Sequence, residues 1–410
     1  MIYVQIAAYR DPELLPTITD CLAKAKYKSN IVFGICWQKG EEEHCLDQFA
    51  GDSRFRVDPV PWQESQGLCW ARARLQKLYH GEEFTMQLDS HHRFEHRWDE
   101  KLLTYLELTG SPKPLITAYA GVYEPHTNRK NNIDPYMMVA QNFTPSGTIL
   151  FRPHNIPNWG ALEKPVRARF VSGHFFFTLG AHCEEYKYDP NLYFAGDEIS
   201  LSIRSFTLGY DLFHPHRTVV WHEYTRQGRV KHWDDHTAQN KPVVGLAWHE
   251  RDAISKKRMR KMLREEDNDA DITGYDLGTV RTHRDYELYA GIDFARRRLH
   301  KETIAGMEPP CTYLGDQQWE ESFVSKFNVA LKWNVEEIER CDDYNFIYFG
   351  VEDDLGNVLF RYDAPPQSPE GSLLHNQKEV TFTAATKPRK LIVWPVSHSR
   401  GWLKKLEYAI

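Results

Sequence analysis

An α/β fold is predicted for the N-terminal two thirds of the chain. β-prone runs alternate with helical patterns, the spacing leaves room for a helix in most connections, and the composition is that of an ordinary packed globular protein. The first strand is expected at residues 2–8. Asp11 and Pro12 then supply an N-cap and a first-turn proline ahead of Leu15, Ile18, Leu22 and Ala25 at helical spacing. Further strands are predicted at 31–37, 55–60, 84–88 and 115–119, with helices over 67–79 and from Trp98 onward. Such a succession gives a mainly parallel sheet, in which ligands gather where strands end.

Residues 249–308 carry dense mixed charge with apolar residues at helical intervals, as in solvated helices packed on a larger domain. Beyond Pro309 and Pro310 the pattern changes to short β-prone runs at 327–333, 346–351, 358–362, 380–383 and 391–394. Turn-rich pieces such as Asp353-Asp354-Leu355-Gly356-Asn357 separate them, which predicts a β-sandwich-like unit. The expected domains are 1–248, a helical extension at 249–308, and a β-rich domain at 309–410, which is also the expected site of any homo-oligomer contact.

The 410 residues are 41% hydrophobic and 26% charged, which excludes a disordered or fibrous chain. Lys and Arg number 51 against 57 Asp and Glu, a formal charge of −6, so no global attraction to nucleic acid is expected. Seven scattered cysteines without a C-x-x-C pair point to a reducing compartment. The N-terminus lacks a secretory pattern, and the longest uncharged stretch, 135–151, is broken by Gln141, Asn142, Pro145 and Ser146. A cytoplasmic protein without a membrane span is therefore expected.

There is no phosphate-loop motif, no G-x-G-x-x-G and no G-x-S-x-G. His222-Glu223 opens like a zinc-protease helix, but Arg226 occupies the place of the second histidine. What remains is Met86-Gln87-Leu88-Asp89-Ser90-His91-His92, a β-prone run ending at an acid and an imidazole two positions apart. One carboxylate oxygen and one ring nitrogen leaving a strand end together can hold a divalent cation. The spacing alone carries little, since about one such tripeptide arises by chance. Other pieces add to it: Gly67 and Arg72 at a helix start, Ser172 and Gly173 before an apolar strand, the acids Asp197 and Glu198, and His222 closing the run Thr218-Val219-Val220-Trp221.

In order, IAAYRDPELLPTI, the G-x-x-x-A-R element (here Gly67 to Arg72), QLDSHHRFEHRWD, VSGHFFF, YFAGDEISLSIRSF and VVWHEY resemble one enzyme family. These are the polypeptide N-acetylglucosaminyltransferases that modify hydroxyproline of a cytoplasmic ubiquitin-ligase adaptor. The mucin-type polypeptide N-acetylgalactosaminyltransferases are similar at greater distance. The resemblance covers roughly residues 1–300. It implies a GT-A nucleotide-sugar fold and metal-dependent transfer with retention, from a UDP-sugar such as UDP-GlcNAc to a protein or glycan hydroxyl. It also implies that Asp89, His91 and His222 ligate manganese or magnesium. Ala8, Tyr9, Arg10, Asp11, Gly67, Arg72, Ser90, Ser172 and Gly173 would contact the donor, and Asp197, Glu198 and Arg72 would act at the reacting centre. Two other readings compete: a non-catalytic carbohydrate-binding module on a transferase-like fold, and a metal-dependent hydrolase built on Asp89, His91, His92 and His96.

Overall fold

A computed structural model describes the chain except for residues 126, 131, 132, 145, 146, 227, 355 and 385, so Pro145, Ser146 and Leu355 lie outside the described residues. The chain divides into two compact units, Met1–Thr312 and Tyr313–Ile410.

The first unit is built on an eight-stranded sheet. From one edge its strands are Val166–Arg167, Asp211–His214, Pro114–Thr117, Phe175–Leu179, Phe84–Asp89, Ile2–Tyr9, Ile31–Lys39 and Phe55–Pro61. The last four run parallel to one another, while Phe175–Leu179 runs antiparallel to both of its neighbours. The expected α/β class is what the first unit adopts, but its sheet is mixed, with four of the seven neighbouring pairs parallel and three antiparallel. Ile2, Val4, Ile6 and Ala8 of the first strand pack with Leu14 and Ile18 of the helix Leu14–Lys24 and with Trp98 and Leu102 of the helix Trp98–Leu108. Tyr3 on the opposite face is also fully buried, which explains the near-continuous apolar run. The strand expected at 115–119 ends at Thr117, because Tyr119 leaves the sheet and stacks on Tyr224, ring centroids 5.6 Å apart.

A second, small sheet sets the position of the site. Its strands in order are His92–Phe94, Val220–His222, Gly121–Glu124 and Arg129–Lys130. His222 pairs with His92, and Val220 with Phe94. Within residues 249–308 the main helices are Trp248–Met262 and His283–Ala290. Met259 of the first packs so closely on Gly196 that any side chain at 196 would strike its sulfur.

The second unit contains the paired strands Ser325–Lys332 and Gln377–Ala384, and a five-stranded sheet of Val358–Ala364, Tyr344–Glu352, Lys390–Ser397, Gly401–Trp402 and Leu406–Ala409. Leu331 and Val380 from the pair meet Ile347, Phe349, Val351, Leu391 and Val393 in one core. Among the described residues no helix is long and apolar enough to cross a membrane.

Candidate active site

The strand Phe84–Asp89 lies inside the large sheet and ends at Asp89. The chain turns through Ser90 and His91 and enters the small sheet at His92, whose cross-strand partner is His222. Register therefore brings together residues more than 130 positions apart. The His222 Nε2 atom lies 3.4 Å from Asp89 Oδ2, and His91 Nε2 lies 3.8 Å from the same oxygen. One donor atom from each of the three lies within 4.8 Å of the others. One carboxylate and two imidazoles suit a divalent transition ion.

Electrostatics agree with that fit. Burial alone would raise the Asp89 carboxyl, but the His222 hydrogen bond and the charges of His91 and Arg72 hold it well below the usual carboxylate range. Burial pushes His222 and His92 far below the ordinary imidazole value and His174 down to about 3. These rings are neutral and keep a lone pair, as ligation requires. Behind His91 stands Asp11, whose Oδ2 lies 2.7 Å from His91 Nδ1 and also accepts a hydrogen bond from Ser90 Oγ at 2.6 Å. A proton on Nδ1 facing a carboxylate leaves Nε2 free to ligate, the usual support for a metal-bound histidine. Arg229 competes for this position, with its Nη1 2.6 Å from His91 Nδ1 and 3.2 Å from Asp11.

A second cluster, His300, Glu302 and Cys311, also gathers donor atoms. Its lone pairs are already engaged: His300 Nδ1 accepts from Glu302 N, a Glu302 oxygen accepts from Thr312 N, and the Cys311 sulfur accepts from Arg169. It ties the chain around Gly291 rather than offering an open site.

Two clefts meet at Asp89. One is an open cleft bounded by Ala7, Tyr9, Asp11, Gln38, Gly67, Ser90, His91, Arg229 and Trp233, among others. The other is bounded by Arg72, Tyr119, Phe151, Gly173, His174, Asp197 and Glu198, among others. Leu68, Asp89, Phe194, His222, Tyr224 and Arg226 belong to both walls.

The structure distributes the sequence-predicted donor residues unevenly. Gly67, with φ +108°, lies against the Tyr193 ring where a side chain would collide. Tyr9 faces the first cleft and donates to Asp235 Oδ2. Ala8 is fully buried in the core, and it is Ala7 that reaches the cleft. Arg10 pairs with Asp235 at 3.0 Å and lies over Trp62. Ser172 is fully buried and hydrogen-bonds His174 Nδ1 at 2.8 Å, while Gly173 lines the second cleft. Arg72, 1% exposed, pairs with Asp197, lies 3.3 Å from Asp89 Oδ1 and donates to the Gly173 carbonyl at 2.5 Å. It thus binds three site segments together. His96 is exposed and belongs to neither donor cluster.

Sequence reasoning did not find Phe194, Tyr224, Arg229 and Trp233 as wall residues. Phe194, Tyr224 and Arg229 sit in irregular segments and Trp233 in the one-turn helix His232–Asp235, all too short for periodicity, and only their proximity in sequence to His222 and Asp197 signals them.

Glu198 accepts a hydrogen bond from Gly173 N at 3.0 Å, and burial, reinforced by Asp197, raises its carboxyl to about 7. Between the ordinary value of 4.5 and about 7 the folded chain therefore holds a proton that the unfolded chain has lost, so stability falls as pH rises through that window. Glu198→Gln is expected to stabilise the chain by roughly 1–3 kcal/mol at pH 8 and to change little at pH 5, as measured by denaturant midpoints. Equal effects at both pH values would contradict the assignment.

No curated protein sequence matches the chain. Solved structures with similar topology include GalNAc-T7 with UDP, GalNAc and Mn2+, at 13% identity and a TM-score of 0.47, covering 98% of this chain and 68% of that one. They also include Staphylococcus aureus TarS 1-349 in complex with UDP-GlcNAc, at 9% identity and a TM-score of 0.38, covering 59% of this chain and 64% of that one. A family model for glycosyltransferase (GlcNAc) matches residues 1–53 and 47–296, more than half of the chain, and the protein belongs to that family of transferases.

Proposed function

We propose that the chain transfers N-acetylglucosamine from UDP-GlcNAc to a hydroxyl group, with metal dependence and with retention of anomeric configuration. The observation that carries this reading is the meeting of Asp89, His91 and His222, with Asp89 and His222 on the wall shared by two clefts and His91 on that of the first. The family description supplies the sugar class. The resemblance of the sequence to hydroxyproline-directed enzymes supplies the acceptor class, a protein hydroxyl such as that of hydroxyproline, serine or threonine. A cytoplasmic setting belongs to the same proposal.

Asp89, His91 and His222 would hold manganese or magnesium, which when bound supplies Lewis-acid stabilisation of a diphosphate leaving group. The first cleft is also lined by Arg226, by Lys231 and by Arg229, the last paired with Asp11 and Glu223 at 3.2 Å, near the region where that diphosphate would sit. Neither acid at the reacting centre is disposed as a free anionic nucleophile. Asp197 is engaged by Arg72 and accepts from the Cys69 thiol at 3.3 Å, and Glu198 is partly protonated at neutral pH. This favours attack by the acceptor hydroxyl on the face that the nucleotide leaves. The C1–O bond to UDP breaks, the new C1–O bond forms, and the hydroxyl proton passes to the departing phosphate oxygen. Isolation of a glycosyl-enzyme on Asp197 or Glu198 would overturn that route.

The test is thermal stabilisation against a panel of nucleotide-sugars with manganese, followed by UDP release. UDP-GlcNAc is expected to give the largest shift in melting temperature, since ligands that bind only the native state stabilise it. His222→Ala is expected to remove most of the manganese-dependent part of that shift. A manganese requirement unchanged in His222→Ala would exclude it as a ligand.

A further inference from the structure

Among the described residues, the ring nitrogens His222 Nδ1 and His92 Nε2 are buried beside the metal-ligand triad without a hydrogen-bond partner. Their rings are close neighbours, with centroids 4.9 Å apart and planes inclined by 62°, a separation at which one nitrogen of each ring can meet at hydrogen-bond distance when the two point toward one another. The proton positions follow from the other contacts. His92 Nδ1 lies 3.0 Å from the Asp89 carbonyl oxygen, which can only accept, so Nδ1 carries the proton and Nε2 presents a buried lone pair. His222 Nε2 faces the Asp89 carboxylate at 3.4 Å. Without a cation the proton belongs on that nitrogen, and two lone pairs then face a buried space with no donor. Ligation through Nε2 reverses this, because the His222 proton must move to Nδ1 and there needs an acceptor.

The neighbouring acceptor on His174 is taken. Its Nε2 accepts from Ala120 N at 3.0 Å, and its Nδ1 is tied to Ser172 at 2.8 Å. We propose that His92 is a positioning residue for the metal site: its Nε2 accepts the Nδ1 proton of His222 when His222 ligates a cation, so that loading the site pairs both orphaned nitrogens. The inference rests on the metal-dependent reading above and assigns to His92 a role that the D-x-H motif does not contain. No net proton is gained or lost, since the proton moves between the two nitrogens of one ring.

The full-length protein would be titrated with manganese, with the free ion followed by electron paramagnetic resonance. His92→Asn keeps a group at the Nδ1 position but removes the acceptor, whereas His92→Gln places one near the Nε2 position. Manganese affinity is expected to fall about 10- to 100-fold in His92→Asn and to stay within about threefold of wild type in His92→Gln. Wild-type affinity in His92→Asn would overturn the role of His92 while leaving the metal site intact. Absence of manganese binding by the wild type, or undiminished binding in His222→Ala, would instead remove the metal-dependent reading and this inference with it. Should His92→Asn fail to fold, nitrogen-proton correlation spectra of the wild type loaded with cadmium decide the matter. His92 protonated at Nδ1 and His222 at Nδ1 is the expected pair of tautomers, and an Nε2 proton on His92 overturns the proposal.

Discussion

Asp89→Ala is expected to abolish sugar transfer, with a loss on the order of 10³-fold or more in UDP release, while the chain remains folded. Asp89 is the one residue that both imidazoles of the triad approach, at 3.4 and 3.8 Å, and it stands on the wall common to both clefts. Its removal deletes the only carboxylate of the donor set and leaves two neutral rings, which bind a hard or borderline cation weakly. Folding is spared because the Asp89 side chain is 24% exposed and its neighbour Leu88 carries the core packing. Circular dichroism and the melting temperature check the second half of the expectation. Activity that persists in the variant, or in the wild type with a chelator, would refute the metal assignment.

Arg72→Met is expected to cost about 3–5 kcal/mol of stability, because it strands the buried Asp197 without a counter-charge. The guanidinium is 1% exposed, and Asp197 is buried at 3%. Arg72 also donates to the Gly173 carbonyl and approaches Asp89, so the helix Leu68–Gln76, the turn before Phe175 and the segment leading into the helix Asp197–Thr207 all lose their common tie. The urea midpoint of the variant should fall markedly, and the double variant Arg72→Met with Asp197→Leu should recover part of the loss. A midpoint unchanged by Arg72→Met would show that the pair is not worth what its burial suggests.

Much of the fold could be read from local pattern. The strands at 2–9, 31–39 and 84–89 show as apolar β-prone runs buried on both faces, and the helix Leu14–Lys24 shows in its amphipathic spacing, both local features of the sequence. The acid and imidazole at 89 and 91 were legible for the same reason, since both sit at one strand end. His222 was legible only through the order of motifs, because its approach depends on a cross-strand register with His92 that no local spacing encodes. The part of Asp11 was also hidden. It reads as an ordinary helix cap, but the helix starts at Leu14 with Glu13 at its cap position, and Asp11 accepts from Glu13 N at 2.9 Å in the turn before it while its other oxygen supports His91. Arg72 suggested a phosphate contact, whereas its charge is spent inside the protein on Asp197, a partner 125 positions away.

Arg226 contributes to both clefts, held 5.6 Å above Phe194 and 5.1 Å above Trp233, with its backbone N–H on Glu223. A molecule that shifts this side chain from one chamber necessarily reshapes the mouth of the other. Free-energy coupling of that kind is reciprocal, so whatever help a nucleotide gives to an acceptor, the acceptor returns in equal measure to the nucleotide. Were both clefts occupied, any displacement of this shared guanidinium by one ligand would change the affinity for the other by the same factor in each direction.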